Sequence, residues 1–399
     1  MAGLDPAMQR HMPKARKAPA DLLDERLYWI PMPRPRLNPL VEFLPALVPF
    51  VGPEAMERAS GRPFAARLGA NESVFGPSPK AVAAMQAAAA GNWMYADPES
   101  YELRSAIARL HGVGIDNVVI GEGIDGLLGL AVKLAAEPGS AVVTSDGTYP
   151  TFNFHVAAGG GRLVRVPYRD DRQDLDALLA AAAREDARIL YIAAPDNPMG
   201  ALAPAGDLRH LIARMPDGML LCLDEAYCDT APTEELLPVD TANAQVLRFR
   251  TFSKAYGLAG ARIGYCLGEA ALIRHFEKIR NHYGINRVGQ IGALAAVQDQ
   301  AYLAEVVGRI ARSRELIAKI AVDNGLAPLP SGANFVAIDC GRDGAFARRV
   351  LDELLARDVF VRMPSVAPLN RCIRVSCGRD EDLAVLAAAL PSALAAARE

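Results

Sequence analysis

From about residue 65 to residue 267 the chain alternates short β-rich runs with helical patterns, and few folds accommodate that order. "NVVIGEG" reads as a buried strand ending in glycines, and "IDGLLGLAVKLAAEPG" as the helix after it, stopped by Pro-Gly. "SAVVTSD" and "GRLVRVPY" read as strands, "DLDALLAAAARED" as a helix, "RILYIAAP" as a strand and "PAGDLRHLIARMP" as a helix. "GMLLCLDEAY", "QVLRFRTFS" and "ARIGYCLG" complete the series as strands. The alternation predicts an α/β fold, a mostly parallel sheet with helices on both faces. Ligands in such sheets bind beyond the carboxyl ends of the strands. The polar residues that interrupt the apolar runs fall there: Asn197 after "YIAAPD", Asp224 after "LLCL" and Lys254 after "RFRTFS".

The texture changes on both sides of this region. After residue 270 a long helical stretch over about 290–323 is followed by "GANFVAID", an amphipathic helix near 344–357, "VFVRM", "RCIRVSC" and a final Ala/Leu helix. Helices and strands grouped in this way predict a smaller α+β domain. The first residues are dense in proline, which blocks helices and sheet ladders, yet carry Trp29, Phe43, Leu44 and Phe50. The expected organisation is an N-terminal arm over 1–60, a large domain over 61–286 and a small domain over 287–399. An apolar, proline-stiffened arm needs a surface to cover it, such as a partner subunit.

Bulk properties exclude several functions. The formal net charge is −3, so there is no global basic footprint for nucleic acid. No apolar run approaches the roughly 18 residues of a membrane span, and the N-terminus has no apolar signal core. A cytoplasmic protein is expected. Cys222, Cys228, Cys266, Cys340, Cys372 and Cys377 form no CxxC pair, and most lie in apolar runs as small buried hydrophobes. The scattered histidines show no metal-binding spacing, so no metal is expected.

Lys254 is the sharpest local signal. It follows a serine at the end of an apolar strand, within "TFSKAYGLAGARIGY". Desolvating an ammonium is costly unless it is paired, neutralised or covalently used. Alone, Lys254 also fits a surface position, Asp224 a helix cap, Arg262 a salt bridge and Asn197 before Pro198 a turn. Together and in this order they resemble the aspartate-aminotransferase superfamily, the fold-type-I enzymes that use pyridoxal 5′-phosphate. Within it the chain is most similar to the histidinol-phosphate aminotransferase group. The matching pieces are "LGANESVFGPSP", "YADP", "GEGIDG", "TYPTF", "APDNPMG", "LDEAY", "TFSKAYGLAGARIGY", "SGANFVAID" and "IRVSCG", running from about residue 67 to 378.

The resemblance implies roles. Lys254 is the residue expected to hold the cofactor's aldehyde as an internal aldimine and then to carry the substrate's Cα proton. Asp224 is expected against the pyridine nitrogen, keeping the ring protonated as an electron sink. Asn197 and Tyr227 match donors to the ring's phenolic oxygen. Gly123, Ile124 and Asp125 open a helix after a strand, so backbone N–H groups and the helix dipole can hold the phosphate. Ser253, Arg262 and Thr251 add polar contacts. Tyr95 matches a tyrosine that reaches the neighbouring subunit's phosphate, which implies a homodimer with shared active sites. Phe152 falls where the family has a tyrosine stacked on the cofactor ring. Arg374 matches the arginine for the substrate α-carboxylate, Arg362 one that helps hold a distal phosphate, and Asn71 lies near the mouth of the site.

Three positions depart from the group's pattern: Met363 follows Arg362 where aspartate is usual, Met199 replaces threonine in "NPTG", and Arg287 stands where a neutral residue is common. The implied reaction is amino transfer between an amino acid or amino phosphate, of histidinol-phosphate or aromatic type, and a 2-oxo acid such as 2-oxoglutarate. A decarboxylase of the phosphothreonine type or a cyclase would share the residues around the ring. A non-enzymatic cofactor-binding regulator would need a DNA-binding extension, for which the first 60 residues are too proline-rich.

Overall fold

The polypeptide, seen in a computed structural model, is described over residues 35–42, 44 and 51–399. Trp29, Phe43 and Phe50 of the expected arm lie outside the described residues. A helical turn, α1 (Pro39–Glu42), comes first, then α2 (Pro53–Ser60). The prolines do not exclude this helix, because Pro53 occupies its first turn, where no N–H partner is required. The chain continues through β1 (Ala66–Arg67), α3 (Pro79–Ala89) and α4 (Tyr101–His111). The Ser78 hydroxyl caps α3 by accepting the Lys80 N–H.

The expected α/β series follows as β2 (Val118–Gly121), α5 (Gly123–Ala135), β3 (Ala141–Ser145), α6 (Pro150–Ala158), β4 (Arg162–Val166), α7 (Leu175–Arg184), β5 (Ile189–Ala193), α8 (Ala205–Ala213), β6 (Leu220–Asp224), β7 (Val246–Thr251) and β8 (Gly264–Leu267). These strands form one sheet in the order β2-β8-β7-β6-β5-β3-β4. Neighbours from β7 to β4 are parallel, while β8 is antiparallel to both β7 and β2. β5, β6 and β7 are buried along their whole length. One core cluster joins Leu127, Phe152, Tyr191 and Phe249, another Leu178, Ile192, Leu208 and Leu223. The two clusters use alternate residues of the same strands, as a sheet buried on both faces requires.

The remainder comprises α9 (Ala270–Arg274), α10 (Arg287–Val297), α11 (Gln300–Asp323), β9 (Ala327–Pro328), β10 (Phe335–Asp339), α12 (Gly344–Ala356), β11 (Val359–Phe360), β12 (Cys372–Ser376) and α13 (Asp380–Arg398). The long helix expected over 290–323 is therefore two helices. At the break Asp299 leaves helical geometry, and its carboxylate accepts from Ser78 Oγ (2.5 Å) and Lys80 Nζ (2.8 Å) at the start of α3. β12, β10 and β9 form an antiparallel sheet. β1 pairs in parallel with β11, and Ala66 and Leu68 are buried in the core of this C-terminal part. By contacts, residues 40–399 make one compact unit; of the preceding unit only residues 35–39 are described.

Candidate active site

Strand order brings the sequence-distant polar residues together. β5, β6 and β7 are neighbours, so Asn197, Asp224 and the Thr251–Lys254 segment emerge side by side. Because β8 runs the other way, the loop before it carries Arg262 to the same end, and β2 beyond it delivers the start of α5. A cavity of about 230 Å³ lies there, lined by Asp125, Tyr149, Asn197, Asp224, Lys254 and Arg262 among others.

One end of the cavity is built for an anion. No side chain caps the N-terminus of α5, whereas Asp174, Asn286 and Asp343 cap α7, α10 and α12. Its first N–H groups and its dipole are left to a ligand. Ile124, Asp125, Thr251, Ser253 and Arg262 line the same end. Gly123 has φ +74, and a Cβ there would lie 2.4 Å from Arg262 Nη2. Thr251 Oγ1 donates to Ser253 Oγ (3.0 Å) and accepts the Ser253 N–H (3.1 Å), which sets the hydroxyl pair. Arg262 Nη2 stands 3.7 Å from Asp125 Oδ2.

The opposite end is acidic and buried. The Asp224 carboxylate is buried; Tyr191 Oη donates to Oδ2 (2.6 Å) and the Ala226 N–H to Oδ1 (3.0 Å). Burial pushes its pKa up to about 6, against the pull of these hydrogen bonds. Next to it, Lys254 Nζ donates to the Asn71 carbonyl (3.0 Å) and lies 5.4 Å from the centre of the Tyr227 ring. Tyr227 Oη accepts from Asn71 Nδ2 (3.1 Å) and Asn197 Nδ2 (3.5 Å). Asn71, expected only near the mouth, is thus the hub that holds Lys254 and Tyr227. It is itself fixed at φ +55 by Ser376 and Asn334.

Lys254, Tyr149, Asn197 and Tyr227 also border a second chamber of about 390 Å³, which contains Arg362, Met363 and Arg374. Main-chain hydrogen bonds pair the two arginines: Arg362 N–H to Arg374 O (3.2 Å) and Arg374 N–H to Arg362 O (2.6 Å). Arg374 Nη1 donates to Asn197 Oδ1 (2.6 Å), and its Nε is buried without a hydrogen-bond partner among the described residues. Burial lowers its pKa to about 10, which leaves it charged at neutral pH. Arg362 Nη2 donates to the Val51 carbonyl (2.7 Å). Met199 is buried in a small core cluster behind the chamber, so that departure from the family pattern does not alter the chamber wall.

One expectation needs correction. Phe152 does not face the cavity: it is fully buried on α6 and stacks on Tyr191, with centroids 4.2 Å apart and planes at 14°. Tyr149, just before α6, lines the cavity in its place, and its hydroxyl donates to Asp125 Oδ1 (2.8 Å). Tyr95 does not reach the cavity of its own chain; it is 75% exposed and packs on Tyr283 at 4.6 Å. Sequence reading also missed a buried ionic cluster behind the site, in which Glu225 accepts from Arg248 and Arg250. Burial raises the Glu225 pKa, but the two arginines outweigh it and the net shift is downward. The signal was present as two arginines inside the apolar strand "VLRFRT", beside the acid after Asp224.

The cavity fits pyridoxal phosphate by its donor set: an uncapped helix start with hydroxyls and a guanidinium at one end, a buried carboxylate at the other and a lysine between. Among the described residues no group of His, Cys, Asp or Glu could hold a metal ion, and no helix is long and apolar enough to cross a membrane.

Comparison with known proteins agrees with this geometry. The family model for aminotransferase class I and II matches residues 66–390. The chain is 33% identical over 329 residues to a histidinol-phosphate aminotransferase of Moorella thermoacetica, covering 82% of this chain and 84% of that one. It is 34% identical over 374 residues to that of Erythrobacter litoralis, covering 92% and 99%. The crystal structure of histidinol-phosphate aminotransferase from Sinorhizobium meliloti, in complex with pyridoxal-5′-phosphate, matches with TM-score 0.88 and 54% identity over 91% of this chain and 99% of that chain. A Thermus thermophilus aspartate aminotransferase mutant, at 23% identity and TM-score 0.77, shares the fold. The chain belongs to the class I and II aminotransferases, pyridoxal-phosphate-dependent enzymes of fold type I, and lies close to their histidinol-phosphate group.

Proposed function

We propose that the protein moves an amino group between an amino acid or amino phosphate, of the histidinol-phosphate or aromatic type, and a 2-oxo acid such as 2-oxoglutarate. The observation that carries the reading is the pair Arg362 and Arg374, locked together in a chamber that opens onto Lys254. Two fixed guanidinium groups suit a substrate with an anionic end, phosphate or carboxylate. The names of the similar proteins support the histidinol-phosphate choice.

Pyridoxal phosphate, when bound, supplies an aldehyde that takes up an amine and a ring that draws off the electron pair left at the substrate's Cα. In this reading the α5 N–H groups, Thr251, Ser253 and Arg262 hold its phosphate, and Tyr149 covers the ring. Asp224 holds the proton on the ring nitrogen. Tyr227 and Asn197 donate to the phenolic oxygen. Lys254 would hold the cofactor through its aldehyde, and its amine is the group placed to move the proton at the substrate's Cα. Arg374 and Arg362 orient the substrate so that this proton faces the Lys254 amine.

The working unit in this proposal is a homodimer with shared sites. Tyr95 (75% exposed), Trp93 (82%), Tyr101 (55%) and Tyr283 (55%) are exposed aromatics that a second copy would cover. A cytoplasmic setting and the division into large (61–286) and small (287–399) domains belong to the same reading, with the segment around Ala66 and Leu68 entering the core of the small one.

The test is a substrate panel. Cofactor-loaded protein is given 2-oxoglutarate with histidinol phosphate, phosphothreonine, phenylalanine or tyrosine, and glutamate and carbon dioxide are both measured. Histidinol phosphate or an aromatic amino acid should yield glutamate one for one, and Lys254→Ala should yield none. Carbon dioxide without glutamate, or normal turnover by Lys254→Ala, would overturn the proposal.

A further inference from the structure

Tyr191 is a tyrosine in the middle of a strand that is otherwise apolar and wholly buried. A leucine or phenylalanine would fill that space without a hydroxyl to satisfy, so the polar atom calls for a reason. Among the described residues its hydroxyl hydrogen-bonds to Asp224 Oδ2, at 2.6 Å. The register explains the reach. Ala193 pairs with Asp224 across β5 and β6, and Tyr191, two residues earlier, points to the same face. The ring is held in turn by the stack on Phe152. Together with the Ala226 N–H on Oδ1, the phenol fixes the carboxylate at both oxygens, and with it the plane of the group.

We infer that Tyr191 is a positioning residue for the reaction: its phenol, braced by Phe152, aims the Asp224 carboxylate at the cofactor's ring nitrogen and keeps it ionised there. The inference rests on the reading of Asp224 given above. Several groups face this carboxylate. Asp125 on α5 disfavours its charge, and Lys254 after β7 favours it. Cys222 on β6 and Tyr191 on β5 feel its charge in return, and Tyr149 and Asp196 act on Tyr191. Of the influences that favour the ionised form, the Tyr191 hydrogen bond is the strongest, ahead of the Ala226 N–H and Lys254. Burial also holds the phenol well above its ordinary pKa, so it remains a donor at any working pH.

Tyr191→Phe removes the hydroxyl and keeps the ring. In cofactor-free protein labelled with 13C at aspartate carboxyls, the Asp224 signal, assigned by its loss in Asp224→Asn, should titrate about one pH unit higher in the variant. Affinity for pyridoxal phosphate should fall about tenfold, while affinity for the analogue with carbon in place of the ring nitrogen should not change. Phe152→Leu, which loosens the brace, should move the titration in the same direction by less. An Asp224 midpoint that stays put in Tyr191→Phe overturns the inference, because a merely space-filling tyrosine would leave it there. A midpoint that moves while Asp224→Asn binds pyridoxal phosphate as the wild type does would support the Tyr191–Asp224 coupling and overturn the assignment of Asp224 to the ring nitrogen.

Discussion

Replacing Gly123 by alanine separates the phosphate end of the site from the rest. Two costs can be worked out. The first is local: at φ +74 an L side chain is disfavoured by roughly 1–2 kcal/mol, which lowers fold stability by that amount. The second is at the site. The new Cβ would lie 2.4 Å from Arg262 Nη2 and 3.1 Å from its Cζ, so the guanidinium must move. It can, because Arg262 is about half exposed and is held by the 3.7 Å pairing with Asp125 and by one hydrogen bond from Nη1 to the Ala259 carbonyl (3.0 Å). Moving it removes a charge-assisted contact worth about 1.5–3 kcal/mol, partly offset by the α5 N–H groups that remain. The expected result is pyridoxal phosphate binding weaker by about tenfold to a hundredfold. Pyridoxal, which lacks the phosphate, should bind both proteins alike. Cofactor titration by absorbance measures both affinities, and denaturant unfolding of the cofactor-free protein measures the first cost. Equal weakening for pyridoxal and its phosphate would refute the reasoning. Gly257→Ala is the contrast: its Cβ would meet the Gly76 carbonyl at 2.4 Å, which is backbone and cannot give way, so loss of folding should dominate there.

Asp224→Ala should lower kcat at least about a hundredfold, the cost of losing a key charge-stabilising group, and a fall under threefold would mean that another residue protonates the ring. Asp224 also predicts a pH effect in the cofactor-free protein. Its pKa rises from the ordinary 3.8 to about 6 on folding, so its contribution to stability is full below about pH 4 and is lost as pH rises through 6. The unfolding free energy of wild type relative to Asp224→Asn should therefore drop by about 2–3 kcal/mol across that window; parallel profiles from denaturant titrations would contradict the burial argument. Mixing Tyr95→Ala with Lys254→Ala should restore activity by subunit exchange, because both lesions can fall in one site and leave the other whole. Confirmed exchange without rescue would remove Tyr95 from the neighbour's site.

Local pattern determined much of this protein. Apolar β-rich runs separated by helical patterns give strands buried on both faces, and a lysine, an aspartate and an asparagine that end such runs must sit at strand ends, because the runs leave them nowhere else. That much needs no knowledge of strand order. Tertiary structure decided what those residues touch. Tyr149 and Phe152 lie three positions apart at the start of one helix, and nothing local says which ring enters the cavity. Tyr191 beneath one and Asp125 beside the other settle it. Arg362 and Arg374 face each other only because the chain returns through β12 beside the segment after β11. Arg262 reaches the cavity because β8 alone runs against its neighbours, and strand direction is a property of the assembled sheet. Periodicity is written within a few residues of sequence; contact between distant side chains depends on strand order and register, which no single stretch of the chain contains.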